Sequence, residues 1–277
     1  MRPDLATLPA LASSAPASPP LLARIAAPAL KYAAGSWYAV AVAGHLMFAT
    51  YVVGFYLRAA VEGRFDDWNK QLPHGYVPGD TFGNLVVLSH LVFTVVIMLS
   101  GAVQLVPALR RAVPAFHRWN GRLFLTSAMI MSLGGLTMIA TRGMVVPGPQ
   151  SAAIIVNAIL IIAFAALAFR YARARRFDVH RKWALRLFLV VSGVFFLRVG
   201  LMFYALIAQG APSGTLFTLL AYAQFVLPLI ALELYFRGQE RGGPALRLVA
   251  ASVIGLLTLV TATGIAGATF AMWLPRM

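Results

Sequence analysis

Long apolar runs make up most of the chain, and short polar or basic segments separate them. Each run continues for about 20 residues or more, which lets a helix cross the roughly 30 Å hydrocarbon core of a bilayer. A membrane β-barrel would instead show short segments of alternating polarity. The pattern therefore predicts an all-α, polytopic integral membrane protein with a bundle of seven transmembrane helices. The predicted spans cover residues 36–59, 81–109, 117–140, 151–172, 181–208, 214–236 and 246–273.

The N-terminal region has a different composition. Residues 1–20 are rich in Ala, Pro and Ser and lack the charged segment and apolar core of a signal peptide. Such a segment buries too little apolar surface to fold by itself. We predict a disordered or interfacial N-terminal tail over residues 1–35 and a seven-helix transmembrane domain over residues 36–277.

Composition and charge fit a membrane protein. Of the 277 residues, 60% are hydrophobic and 11% are charged, which leaves too few polar side chains to cover a water-soluble globule. The net charge is +15, and 17 of the 23 Lys and Arg residues fall on the N-terminal side of the predicted bundle, against five on the other. This asymmetry predicts an inner-membrane protein with a cytoplasmic N-terminus and a periplasmic C-terminus. The basic charge therefore indicates topology and contact with the lipid bilayer, not nucleic-acid binding.

The sequence identifies no catalytic group. The chain has no cysteine, which excludes disulfides and thiolate chemistry. It shows no phosphate-binding glycine loop, HExxH motif or Ser/His/Asp arrangement. Whether the protein is an enzyme stays open, and the candidate chemistry rests on histidine and arginine.

A basic, histidine-led phrase occurs twice. Residues 116–125 read FHRWNGRLFL and residues 179–189 read VHRKWALRLFL, each at the start of a predicted span. Aligned on RLFL, Arg122 matches Arg186. The phrases predict an internal repeat in which the second and third spans correspond to the fourth and fifth.

These phrases have two interpretations. Arg and Trp at a membrane boundary commonly anchor a helix. However, Arg122 and Arg186 lie one to two turns inside the spans, where a charge needs a partner. Arginines at a helix N-terminus favour an anion such as a lipid headgroup, a phosphate-bearing substrate or a haem propionate. Glu233 is the alternative partner for either inner arginine. The predicted anion-binding or propionate-binding residues are Arg118, Arg122, Arg181, Arg186 and Arg198.

The phrases also carry a family resemblance. HRxxGR at residues 117–122 and HRxWxxR at residues 180–186, together with His90 and the pair LR at 197–198, resemble the bacterial multispanning family known as domain of unknown function 2306. The resemblance extends over roughly residues 40–240. It implies a bacterial membrane protein and carries no activity with it.

A looser resemblance, through FHRWNGR, is to cytochrome b561 and the ferric reductases. It implies haem b held between histidines of two helices. His117 and His180 share one depth at the N-terminal ends of their spans. His45 and His90 each lie nine residues into a span, about 14 Å deep. All four are candidate haem ligands, although a histidine within a span also commonly bonds a neighbouring helix.

Two further positions stand out. Arg198 lies about 17 residues into the fifth span, roughly 25 Å along it, which predicts a place in the outer third of the hydrocarbon core. There it either snorkels outward or faces the bundle, paired with a carbonyl, a tyrosine such as Tyr204, or a ligand. His74 is predicted to be a solvated loop residue. An alternative metal site formed with Asp66, Asp67 and Asp80 is weaker, and we predict no metal.

Two function classes follow from the sequence. The first is a redox membrane protein that binds haem b and exchanges electrons with quinone. The second is a non-redox transporter or a lipid- or anion-binding protein, in which the arginines recognise an anionic small molecule or lipid. A structural assembly subunit would need neither site.

Overall fold

The computed structural model describes residues 21–143 and 148–277, and within them every regular element is helical. Six helices are long and apolar enough to cross a membrane, and a bent pair forms the seventh candidate span. The prediction of an all-α, polytopic bundle is confirmed. The helices are α1 (Leu21–Val61), α2 (Thr81–Gln104), α3 (Pro107–Ala112), α4 (Pro114–Arg142), α5 (Pro149–Arg173), α6 (Phe177–Val191), α7 (Gly193–Ala208), α8 (Gly214–Glu240) and α9 (Pro244–Arg276).

The helix boundaries differ from the prediction at several points. Helix α1 begins at Leu21, so residues 21–35 of the predicted tail are helical, while residues 1–20 lie outside the described residues. Helix α2 ends at Gln104 and not at residue 109, because the segment PALRRA forms the separate helix α3. Proline at the start of α3 and of α4 has a fixed φ angle that matches the first turn of a helix.

Successive spans run in opposite directions, so the bundle has two distinct ends. The basic end holds the N-terminal ends of α4 and α6 and the C-terminal ends of α2 and α5. The loop end holds the segment between α1 and α2, which includes a 3-10 turn at Phe65–Lys70. The C-terminus also lies there, since Arg58 donates a hydrogen bond to the Met277 carbonyl at 3.2 Å.

Close helix packing rests on small residues. A Cβ at Gly264 of α9 would overlap the backbone carbonyl of Val199 in α7. A Cβ at Gly44 of α1 would overlap the side chains of Ile265 and Phe195. Small residues let helix backbones approach in a bilayer, where dispersion contacts replace the hydrophobic effect as the main attraction between helices.

The predicted fifth span is not one straight helix. Its axis bends by 50° between α6 and α7. At the bend, the Ser192 hydroxyl donates to the Phe188 carbonyl at 2.8 Å and the Asn157 amide donates to the Val190 carbonyl at 3.1 Å. Gly193 lies so close to Asn157 that a Cβ would come within 3.0 Å of its amide nitrogen. Helix α4, the counterpart in the predicted internal repeat, has no such break, and the repeat is not confirmed.

Two π-helical segments meet at the loop end. One covers Val52–Leu57 of α1 and the other Thr269–Trp273 of α9. The rings of Tyr51 and Trp273 stack with centroids 6.2 Å apart, and Phe48 lies 5.4 Å from Trp273. These aromatic side chains form part of a buried core beneath the loop end.

Candidate functional site

A large cleft lies between the helices and reaches the basic end. Its volume is about 2010 Å³, and helices α1 to α9 all contribute to its wall. Apolar side chains such as Phe196, Leu227 and Ile254 line its inner part. Toward the basic end the lining includes His117, Arg118, Arg122, His180 and Arg181. We call this cavity the basic cleft.

His117 is held by polar groups of α2. Its Nε2 lies 3.3 Å from the Gln104 amide nitrogen. Because an amide nitrogen only donates, the imidazole nitrogen accepts this bond, which places the ring proton on Nδ1. Gln104 is fixed in turn by Asn120, whose amide donates to the Gln104 oxygen at 2.8 Å and to the Ser100 carbonyl at 2.8 Å. The sequence gives no sign of these contacts, since Gln104 and Asn120 belong to different spans.

His180 is fixed differently. Its Nδ1 lies 2.8 Å from the Ala168 carbonyl near the end of α5, so Nδ1 carries the proton and donates. No hydrogen bond of the described residues involves its Nε2. The tight turn before α6, with Arg175 at φ 55°, brings the start of α6 back against α5. Each repeated phrase thus directs its histidine toward the membrane span that precedes it, α2 for His117 and α5 for His180.

Three of the five predicted anion-binding arginines line the basic cleft: Arg118, Arg122 and Arg181. All three are exposed, and the guanidinium of Arg122 lies 4.6 Å from the Trp119 ring. Several other lining residues stand out in the sequence only as basic residues that indicate topology. These are Lys31, Arg110, Arg173, Arg175 and Arg247.

Acidic residues are few in the wall of the cleft. The described lining includes Asp178 and Glu240, against eight Lys and Arg residues. Glu240 already forms an ion pair with Lys182 at 2.5 Å. The basic cleft therefore carries an excess of positive charge at one end.

Arg186 lies outside this wall. Its Nε and Nη2 donate to one carboxylate oxygen of Glu233 at 2.8 and 2.5 Å. The guanidinium also lies 4.7 Å from the Trp183 ring and 5.3 Å from the Phe236 ring. Glu233 thus supplies the partner that an arginine within a span needs. In this structure Arg186 joins α6 to α8 and does not face the basic cleft.

The two deeper histidines are not brought together. His45 is 1% exposed and packs on Phe195 and Phe188 at ring distances of 4.6 and 5.6 Å. His90 packs against α4, where a Cβ at Gly135 would lie 3.8 Å from its ring. No hydrogen bond or ring contact joins His45 to His90 in the described residues. Equal depth on two helices does not determine that two side chains face each other.

Arg198 lies on α7 and also outside the basic cleft. Arg198 lies ten residues before the end of α7, about 15 Å along its axis. Its guanidinium lies 5.4 Å from the Phe48 ring and interacts electrostatically with Tyr51 and Tyr56.

At the loop end, Arg142 fixes the segment between α1 and α2. Its side chain is 3% exposed. It donates to Asp80 Oδ2 at 2.6 Å, to the His74 and Gly75 carbonyls at 3.0 and 3.1 Å, and to Asn84 Oδ1 at 2.8 Å. In the sequence, Arg142 is only one of the five basic residues on the outer side of the predicted bundle. The amide oxygen of Asn84 and the carboxylate of Asp80 thus both accept hydrogen bonds from the Arg142 guanidinium.

The alternative metal site is not formed. His74 Nδ1 bonds the Arg142 carbonyl at 3.1 Å, and Asp80 pairs with the Arg142 guanidinium. Asp67 forms ion pairs with Arg64 and Lys70. No group of three or more His, Asp or Glu side chains suited to a metal occurs in the part of the chain that the structure describes.

The electrostatics of Asp80 follow from its position at the start of α2. The backbone N–H of Gly83 donates to this carboxylate at 2.9 Å, as expected for an N-cap. That bond, and then the guanidinium of Arg142, hold the pKa of Asp80 below its usual range. Asp80 is therefore ionised at neutral pH.

The fold and its polar groups define a multi-pass helical membrane protein. The chain belongs to the family described as predicted membrane protein (DUF2306), which matches residues 87–236. This range includes both histidine phrases and more than half of the 277 residues. The resemblance to that family is confirmed, although the match begins at Val87 and leaves α1 outside it. Comparison with curated proteins and with solved structures found no match, and the resemblance to cytochrome b561 receives no support.

Proposed function

We propose that this protein binds an anionic amphiphile in the basic cleft and acts as a transporter or lipid-handling protein of the bacterial inner membrane. Lipids and fatty acids share the required chemistry, a negative headgroup on an apolar chain. The observation that carries the proposal is the basic cleft itself, which joins an arginine-rich end to an apolar interior. We place its basic end in the cytoplasm, since basic residues concentrate on that side of inner-membrane proteins.

Size favours a long-chain ligand. Sites for drug-sized molecules usually occupy roughly 300–1,000 Å³. The basic cleft has about 2010 Å³ and extends from Arg118 past Phe188 to Ile207 and Val260. A free inorganic anion would use only the basic end and leave the apolar interior unexplained.

Charge favours an anionic headgroup. Arg118, Arg122 and Arg181 are exposed to the cleft and form none of the ion pairs found in the described residues. Arg122 is also preorganised by its contact with Trp119. Guanidinium groups bind phosphate and carboxylate oxygens through paired N–H bonds, so these residues suit either headgroup.

A haem b site is the second candidate, because His117 and His180 line the same cleft. The Nε2 of His180 is oriented as in many metal-binding histidines, whose other nitrogen donates to a backbone carbonyl. His117 fits less well, since its Nε2 already accepts from Gln104. Haem ligation by His117 would require Gln104 to move. Absorption spectra of protein purified from haem-replete cells test this candidate: a Soret band lost in His180→Ala supports it, and a colourless folded protein excludes it.

The main proposal is tested by binding of dodecyl phosphate to protein in a non-ionic detergent. We expect saturable binding that weakens at least tenfold in Arg118→Gln and Arg122→Gln, and that falls as salt rises. Arg111→Gln is the matched control, because it removes the same charge from an exposed residue of α3 that does not line the cleft. Inorganic phosphate serves as competitor. An equal loss of affinity for dodecyl phosphate in Arg111→Gln and Arg122→Gln would contradict a defined site. Full displacement of dodecyl phosphate by inorganic phosphate alone would contradict a site for an amphiphile.

A further inference from the structure

The basic end of the cleft carries more positive charge than one phosphate or one carboxylate balances. Its described wall holds eight Lys and Arg residues and two carboxylates, Asp178 and Glu240. Glu240 is already paired with Lys182, which does not line the cleft. A phosphate monoester carries about 1.5 to 2 negative charges at pH 7. The basic end therefore suits a headgroup with more negative charge than a single phosphate has.

Six exposed arginines at this end fall into two sets on different helices. The first set lies on α3 and α4, and the second lies at the end of α5, in the turn after it and at the start of α6. The first set is Arg110, Arg118 and Arg122, and the second is Arg173, Arg175 and Arg181. Within the part of the chain that the structure describes, none of these six side chains forms an ion pair or a hydrogen bond. Their N–H groups are therefore available to a ligand in the cleft.

The two arginine sets lie close together. His117 is within electrostatic range of both His180 and Arg110. In the sequence His117 directly precedes Arg118, and His180 directly precedes Arg181. The two histidine-led phrases thus bring their arginines to the same end of one cavity from two helices. Two linked phosphates form a short headgroup, which needs donors that are close to each other in this way.

Helix ends and aromatic rings prepare both sets for an anion. Helices α4 and α6 begin at this end, and the partial positive charge of a helix N-terminus favours anions. In the first set the Arg122 guanidinium lies 4.6 Å from the Trp119 ring, and in the second the Arg173 guanidinium lies 5.9 Å from the Phe169 ring. Contact with the face of an aromatic ring positions a guanidinium and leaves N–H groups free for a ligand.

We propose that the amphiphile of the basic cleft is a diphosphate ester of a long-chain alcohol, with one phosphate on each arginine set. The assignment rests on the proposed function and specifies the ligand of the same site. Arg118 and Arg122 are four residues apart on one face of α4, so they hold one phosphate through paired N–H bonds. Arg181 and its neighbours in the second set hold the other phosphate. Each copy of the repeated phrase thus serves one phosphate.

Calorimetric titration with farnesyl phosphate and farnesyl diphosphate, in a non-ionic detergent without divalent cations, tests the assignment. The two ligands share one apolar chain and differ by one phosphate. We expect the diphosphate to bind wild-type protein roughly tenfold more tightly or better, since the second phosphate gains charge-assisted hydrogen bonds. In Arg181→Gln this ratio of affinities should fall severalfold, because the second phosphate loses a partner while the first set stays intact.

Arg176→Gln is the matched control. Arg176 is an exposed neighbour of the second set that does not line the cleft, so this variant should keep the wild-type ratio. Equal affinities of wild-type protein for the two ligands, or an equal fall of the ratio in Arg176→Gln and Arg181→Gln, would overturn the diphosphate assignment and leave the amphiphile site standing. If neither ligand binds in a saturable way, the proposed function itself is wrong. Displacement of farnesyl diphosphate by an equal concentration of inorganic diphosphate would overturn both, because the apolar chain would then add nothing.

Discussion

Arg142→Gln should release the segment between α1 and α2 and destabilise the loop end of the bundle. The Arg142 side chain is 3% exposed and donates to the carbonyls of His74 and Gly75 and to the amide oxygen of Asn84. Glutamine is too short to reach all of these acceptors and carries no charge. The variant therefore leaves several buried or half-buried acceptors without a donor.

The magnitude follows from the contacts to neutral acceptors. Three such bonds of 3.1 Å or shorter are lost, at roughly 1 kcal/mol each when some of the freed acceptors regain water. We therefore expect the free energy of unfolding to fall by about 3 kcal/mol, without counting the ion pair to the half-exposed Asp80. A loss of this size exceeds that of most surface substitutions.

The assay is reversible unfolding in mixed detergent micelles, followed by circular dichroism. Arg58→Gln is the control, because Arg58 also pairs with a carboxylate at the loop end but is 60% exposed. An exposed ion pair contributes little, so this variant should match wild type. Tryptic cleavage after Arg64 and Lys70 should accelerate only in Arg142→Gln. If both variants unfold alike and resist trypsin alike, the reasoning about Arg142 is wrong.

Two further variants test the helix packing and the electrostatics. Gly264→Ala should destabilise the bundle by about 1–3 kcal/mol in the same unfolding assay, since its Cβ would overlap the Val199 carbonyl. Gly255→Ala, in the same helix with nothing within 4 Å of the added Cβ, should not; equal effects would refute the close approach of α7 and α9. Asp80 has a lowered pKa in the folded state, so its stabilising effect is complete above its ordinary pKa of about 3.9 and is lost as pH falls through the folded-state value. In Asp80→Asn the free energy of unfolding should therefore fall less steeply as the pH is lowered into the acid range. An unchanged pH dependence would contradict the N-cap and ion-pair assignment.

The sequence predicts the number and class of the spans because apolar length alone decides whether a helix can cross a bilayer. It does not predict the bend at Ser192, since residues 187–199 are continuously apolar apart from Ser192, Gly193 and Arg198. The bend depends on Asn157, which reaches the Val190 carbonyl from another helix. Tertiary contacts of this kind leave no periodic signal in the chain.

Only part of the candidate site could be predicted from the sequence, because tertiary contacts determine the rest. The charge pattern places Arg118, Arg122 and Arg181 at one end, and the structure puts all three in the basic cleft. The depth of a residue along a helix does not determine in which direction its side chain points. The sequence therefore could not predict that Arg186 pairs with Glu233 or that His45 packs among phenylalanines. The role of Arg142 could not be predicted, because two of the four acceptors named above are backbone carbonyls, which no residue pattern marks.

Quenching of Trp37 by a dibrominated fatty acid tests the amphiphile site most directly. Trp37 lines the basic cleft, and bromine quenches tryptophan fluorescence only at short range. We predict a saturable quenching component that disappears in Trp37→Phe and requires a higher fatty-acid concentration in Arg122→Gln than in Arg111→Gln. Quenching that rises linearly with concentration, and is identical in wild type and Trp37→Phe, would contradict an amphiphile in the cleft.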